Sequence, residues 1–175
     1  MGERVSRADA DPAAGLIAFL TSRGLTIAVA ESLTGGLLVA ELVRVPGASA
    51  VVRGGVVAYA TPVKHSLLGV SAELLAREGA VHPEVAAGMA EGVRRALAVD
   101  GVPASIGVAT TGVAGPDPQD GRPPGVVFVG VSIDDRTEVR ELALRGDRAE
   151  IRRATVDAAI AAVFDALPDH GHPPG

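Results

Sequence analysis

Residues 26–36 read Thr-Ile-Ala-Val-Ala-Glu-Ser-Leu-Thr-Gly-Gly. The run 26–30 is short, apolar and partly β-branched, which predicts a buried strand. Residues 31–36 turn the chain, and the apolar run that follows predicts a helix ending near Arg44, before the breaker Val45-Pro46-Gly47. A strand feeding a helix through a glycine-rich turn is the repeating unit of α/β folds. Upstream, residues 12–23 predict a helix with Leu16, Ile17, Phe19 and Leu20 on its apolar side, stopped by Gly24. Downstream, residues 54–60 read as a second strand. Thr61-Pro62 reads as a helix start with Thr61 as N-cap, closed by Gly69. His82-Pro83 opens a longer helix carrying Val85, Met89, Val93 and Leu97 at helical spacing. Residues 104–111 read as a strand, followed by a loop over 112–125 with four Gly and four Pro. Strands over 126–133 and 137–144 form a hairpin around Asp134-Asp135-Arg136. Asp147 and Glu150 form a capping pair for a last helix with Val156, Ile160, Val163, Phe164 and Leu167 as its stripe. This order predicts a three-layer α/β/α fold, a mixed sheet with helices on both faces. Ligands in such sheets gather outside the carboxyl ends of the strands.

A length of 175 residues suits one domain, here 9–167, with the polar ends 1–8 and 168–175 expected to be disordered tails. Apolar residues make up 47%, which excludes wholesale disorder. The net charge of −5 argues against nucleic acid as a partner, since no surplus of cations exists to release counterions. The absence of cysteine excludes disulfides and thiolate chemistry. No apolar run approaches the ~18 residues of a membrane span, and the charged N-terminus does not read as a signal peptide. A cytoplasmic protein is the expectation. His170 and His172 lack a third ligand, so no metal is expected.

Fifteen of the 16 basic residues are Arg, and Lys64 is the single Lys. Where charge alone suffices this chain uses Arg. Lys64 therefore marks a place where the ability to lose a proton could matter. The single Tyr, Tyr59, lies five residues away.

Four constellations carry candidate chemistry. In residues 30–36, Ser32 precedes Thr34, Gly35 and Gly36 at a helix start, where free N–H groups suit a nucleophile and its oxyanion. Capping by Ser32 or Thr34 is the plainer alternative. In residues 59–64, Tyr59 and Lys64 flank the predicted cap. A cation in a first helical turn opposes the macrodipole, which favours a neutral amine fit to act as a base. Thr111 and Gly112 open the long loop, which suits a ligand rim or lid as well as plain disorder. Arg148 sits in the first turn of the last helix, placed for bidentate phosphate or carboxylate recognition, or for pairing with Asp147 or Glu150. No P-loop, G-x-G-x-x-G, G-x-S-x-G or H-E-x-x-H is present.

Taken in order, A-E-S-L-T-G-G at 30–36, V-P-G-A-S-A at 45–50, G-G-V-V-A-Y at 54–59, K-H-S-L-L-G-V at 64–70, E-G-A-V-H-P-E-V-A at 78–86, T-G-V-A-G-P at 111–116 and G-D-R at 146–148 resemble the CinA C-terminal domain family of bacterial nicotinamide-nucleotide amidases. The resemblance implies hydrolysis of nicotinamide mononucleotide to nicotinate mononucleotide and ammonia. It implies Ser32 as nucleophile, activated by Lys64 with Tyr59, and Thr34, Gly35, Gly36, Thr111, Gly112 and Arg148 as substrate-binding residues. Backbone N–H groups at Gly35 and Gly36 are the expected oxyanion donors, and Arg148 with the 112–116 turn the expected phosphate holders. Neither a metal nor an organic cofactor is implied. The implied partners are a pyridine nucleotide and further copies of the chain, with neither nucleic acid nor membrane. Longer family members carry an additional N-terminal domain, so this chain resembles the stand-alone amidase. Leu33 stands where the family often has Cys, and Ala60-Thr61-Pro62 where it often has Ser-Asn-Glu. The residues also fit a non-catalytic regulatory or competence-related binding module, or an amidase or esterase on another small substrate.

Overall fold

A computed structural model describes residues 11–167. The expectations for the two tails, including His170 and His172, lie outside the described residues. The elements run α1 (Pro12–Arg23), β1 (Ile27–Glu31), α2 (Leu37–Val43), a 3-10 turn (Ala48–Ala50), β2 (Val52–Val57), α3 (Thr61–Ser66), α4 (Ala72–Glu78), α5 (Pro83–Ala96), β3 (Ile106–Gly112), β4 (Val126–Ile133), β5 (Arg136–Ala143) and α6 (Arg148–Ala166).

Local signals account for most boundaries. Asp11 caps α1 by accepting the Ala14 N–H, and Gly24 ends it in the left-handed conformation that glycine adopts without strain. Asp147 and Glu150 form the reciprocal capping box of α6. Three expectations need correction. Helix α4 has no counterpart among the sequence expectations; it is seven residues long, buries only Leu74 and Leu75, and is too short to register as a period. Strand β2 begins at Val52 and ends at Val57. Thr61 is not the cap of α3: Ala60 is, with no side-chain hydrogen bond, and Thr61 is the first helical residue. Lys64 consequently lies toward the end of a six-residue helix, where a macrodipole would favour its charge rather than oppose it.

The sheet order is β2-β1-β3-β4-β5. β1 is parallel to β2 and β3, whereas β3–β4 and β4–β5 are antiparallel. Helices α1, α2 and α6 pack together over one face, and α5 lies across β1, β3, β4 and β5 on the other. The period-2 alternation of a pleated strand divides the core accordingly. Ile27, Val29, Ile106, Val108, Val127 and Val129 join the cluster under α1 and α6. Ala28, Ala30 and Ala109 join Val85, Met89, Ala90 and Val93 on the α5 side. That second face is paved with small residues so that α5 can approach closely. A Cβ at Gly107 would run into the Ala90 carbonyl, and one at Gly130 into that of Ala86.

The parallel strands β1, β2 and β3 deliver Glu31, Val57 and Gly112 to one end of the sheet. The antiparallel register places Val127 opposite Gly112 and Ala143 opposite Val126. The approach to α6 therefore returns to the same end, which brings Arg148 to the segments that follow β1, β2 and β3.

Candidate active site

Ser32 follows the last residue of β1. Its N–H donates to Thr110 O at 3.0 Å, and its carbonyl accepts the Gly35 N–H at 3.1 Å, so main-chain bonds fix the turn. The side chain is not a helix cap: the Oγ faces Lys64 Nζ at 3.0 Å. Gly36, the cap residue of α2, makes no side-chain cap bond. Glu31 supplies that function instead. Its fully buried carboxylate accepts the N–H groups of Gly36, Leu38 and Val39 at 2.9–3.0 Å. A buried carboxylate at a helix N-terminus is stabilised by charge-assisted bonds and by the dipole. This arrangement corrects the expected oxyanion donors. The Gly35 N–H is engaged by Ser32 O and the Gly36 N–H by Glu31, so neither is free for substrate.

Lys64 is completely buried. Its Nζ also reaches Ala58 O at 2.6 Å and Tyr59 O at 3.4 Å. Burial pulls its pKa down from 10.5 to about 8, and Asp120 opposes that shift by favouring the charged form. A neutral amine has two N–H bonds and one lone pair. Donating to the two carbonyls leaves the lone pair for the Ser32 hydroxyl, which is the geometry a general base needs. Because the folded state binds the proton less tightly than the unfolded chain, the folded protein is the less protonated form between about pH 8 and 10.5. Stability therefore rises with pH across that window, by up to about 1.4 kcal/mol per pH unit from this group. Below about pH 8 both states are protonated and the slope vanishes. Denaturation of the native protein and of Lys64→Met as a function of pH checks this. The difference between their stabilities should move in favour of the native chain from about pH 8 upward and stay flat below.

The remaining expected residues fall into two groups. Tyr59 and Arg148 line a small open cavity of about 130 Å³ with Ser32, Leu33, Gly112 and Gly115. Tyr59 is 60% exposed, and its hydroxyl accepts from Arg148 Nη2 at 3.1 Å rather than meeting Ser32. Arg148 Nη1 donates to Gly115 O at 2.7 Å, which ties the α6 N-terminus to the long loop. That loop is a built wall: Asp117 and Gln119 also line the cavity, and Asp120 accepts the Ala80 N–H at 2.8 Å. By contrast, Thr34 and Thr111 are buried and turned to other tasks. Thr34 Oγ1 bonds Thr110 Oγ1 at 2.8 Å, and Thr111 Oγ1 donates to Ala80 O at 2.7 Å. Both hydroxyls hold the scaffold. Sequence reading gave no individual role to Glu31, Thr110, Asp120 or Arg152. Glu31 alone had a visible signal, a lone charge closing an apolar strand.

A hollow of about 390 Å³ lies beyond the other end of β3, lined by residues including Glu91, Arg94, Ser132 and Asp134. There Ser132 faces Arg94, which also bonds the carbonyls of Ala104 and Asp134, so no base attends the hydroxyl. Among the described residues, no group of three or more His, Asp or Glu is placed to hold a metal. No described helix is long and apolar enough to cross a membrane.

Residues 10–167 match the model of the CinA C-terminal domain. A CinA-like protein of Frankia casuarinae is 51% identical over 145 residues, covering 83% of this chain and 32% of that protein. The chain spans about a third of the length of the curated relatives it matches. Among solved structures, the competence/damage inducible protein CihA of Agrobacterium tumefaciens is 34% identical, covers 89% of this chain and 95% of that one, and superposes with a TM-score of 0.82. A competence-damaged protein (CinA) superfamily protein of Escherichia coli is 28% identical, covers 94% of both chains and has a TM-score of 0.84. With the family model matched over nearly the whole chain and a relative 51% identical over 83% of it, the chain belongs to the CinA C-terminal domain family.

Proposed function

We propose that this domain is an amidohydrolase that converts nicotinamide mononucleotide to nicotinate mononucleotide and ammonia through an acyl-enzyme on Ser32. The observation that carries the reading is the fully buried Lys64 with its Nζ 3.0 Å from Ser32 Oγ. Lys64 takes the Ser32 proton as Oγ attacks the carboxamide carbon. The carbonyl pair moves onto oxygen, then re-forms the double bond and expels the amine, which leaves as ammonia with the proton returned by Lys64. Water resolves the ester by the same route in reverse. The substrate carries a cationic ring and an anionic phosphate. Asp117 and Arg148 in the cavity wall offer one charge of each sign. Tyr59 serves in this reading as a wall for the ring and an anchor for Arg148, a narrower role than activation of Ser32. The cytoplasm is the expected compartment, and a homo-oligomer the expected assembly.

Ammonia release from the mononucleotide, the riboside and free nicotinamide tests the reading. The mononucleotide should be the best substrate by kcat/KM. No release from any of the three would reject the activity. Arg148→Ala refines the test. Losing a charge-assisted phosphate contact should raise KM for the mononucleotide about 10- to 100-fold and leave the riboside nearly unchanged. Equal losses on both would assign Arg148 to its contacts with Gly115 O and the Tyr59 hydroxyl alone.

A further inference from the structure

The turn that carries Ser32 is gripped from outside by a residue with no place in the chemistry so far. Arg152, one turn into α6, donates from Nε to Leu33 O at 2.9 Å and from Nη2 to Thr34 O at 3.0 Å. The planar fork of a guanidinium suits two neighbouring acceptors at once. From inside, Glu31 holds the N–H groups that begin α2. Gly35 lies between the two grips with φ +58, and a Cβ there would stand 3.3 Å from Arg152 Nη2. Glycine at 35 therefore serves both the left-handed backbone and the approach of the guanidinium.

This clamp has a consequence for one donor. In a trans peptide the C=O and N–H point in opposite directions. The Ser32–Leu33 peptide is fixed on one side by the Gly35 N–H bonding Ser32 O, and the next two carbonyls are fixed by Arg152. Among the described residues no acceptor takes the Leu33 N–H, and Leu33 lines the cavity beside Ser32. The residue after a nucleophile is where other acyl-transfer folds place an oxyanion donor.

We infer that Arg152 is a positioning residue that aims the Leu33 N–H at the oxyanion of the Ser32 adduct. The inference rests on the acyl-enzyme reading above. It assigns the donor role that Gly35 and Gly36 cannot fill. Arg152 touches no reacting atom and acts through the Leu33–Thr34 and Thr34–Gly35 peptides it holds, which directly follow the peptide that carries the Leu33 N–H.

The test uses Arg152→Ala and Arg152→Lys in the full chain, with the mononucleotide and with its analogue bearing an aldehyde in place of the carboxamide. Ser32 Oγ adds to the aldehyde carbon, the carbonyl pair becomes an alkoxide, and the serine proton passes to Lys64, so the adduct presents the oxyanion without a leaving group. Removing an oxyanion donor outright costs ~10²–10³ in kcat. Misaiming one should lower kcat roughly 10- to 100-fold, with KM within about threefold. The aldehyde should bind more weakly by the same factor. Affinity for the amide, measured in a Ser32→Ala background, should not change. Arg152→Lys keeps the charge and holds one carbonyl at a time, so it should keep the thermal midpoint and recover only part of kcat. A rise in KM with unchanged kcat, or unchanged aldehyde affinity in Arg152→Lys, would overturn the inference. If the native protein hydrolyses no amide, the proposed function fails, yet the aldehyde comparison still decides the role of Arg152.

Discussion

Ser32→Ala is expected to lower kcat for ammonia release by about 10⁴- to 10⁶-fold, because nucleophile and base act as a unit and nothing else in the site can form the ester. The substitution is clean for a structural reason. The N–H and carbonyl of Ser32 hold the turn through Thr110 O and the Gly35 N–H, and alanine keeps both. The Oγ bonds only Lys64, so its removal deprives no helix of a cap. The thermal midpoint should change little, and the mononucleotide should still bind with a Kd within a few-fold of the native value. Ammonia release, calorimetric binding and thermal unfolding on the same preparation decide it. Turnover within tenfold of the native rate would show that Ser32 is not the nucleophile.

Lys64→Arg should also abolish turnover, although it keeps the charge. Arg fills every other basic position in this chain, so a role met by charge alone would not require Lys. The structure sharpens that argument. Lys64 is completely buried, and burial holds its pKa at about 8. A guanidinium in the same space cannot shed its proton to escape the desolvation penalty. It cannot take a proton from Ser32 either. The same penalty could unfold the variant, so Lys64→Met is the companion measurement. Methionine has similar reach, carries no charge and supplies no base. It should fold and lose about 10³-fold or more in kcat. The double variant with Ser32→Ala should be barely slower than Ser32→Ala alone. A folded Lys64→Arg that keeps substantial kcat would remove the neutral-lysine mechanism. In the native protein, kcat/KM for the proposed reaction should fall about tenfold per unit as pH drops below about 8, as the amine becomes protonated.

The sequence by itself determined the layered architecture and the end of the sheet where chemistry could occur. It did so because the decisive signals are local: Gly24 closing α1, the Asp147–Glu150 box opening α6, and the alternation that sends Ile27 and Val29 to one core and Ala28 and Ala30 to the other. The scarcity of Lys singled out Lys64 for the same kind of reason, since a rare residue is visible without coordinates. What sequence reasoning could not supply was the cause of the shift at Lys64. It assigned the neutral amine to a helix dipole, and the tertiary structure assigns it to burial, because desolvation depends on residues remote in the chain. The same distinction separates Ser32 from Thr34 and Thr111. All three carry a hydroxyl near a strand end, yet only Ser32 faces the buried amine. The other two are drawn away by Thr110 and Ala80, partners 76 and 31 positions distant. Arg152 is the extreme case. Its two acceptors lie 119 and 118 residues away, and no local spacing records a contact that exists only once α6 has packed against the turn after β1.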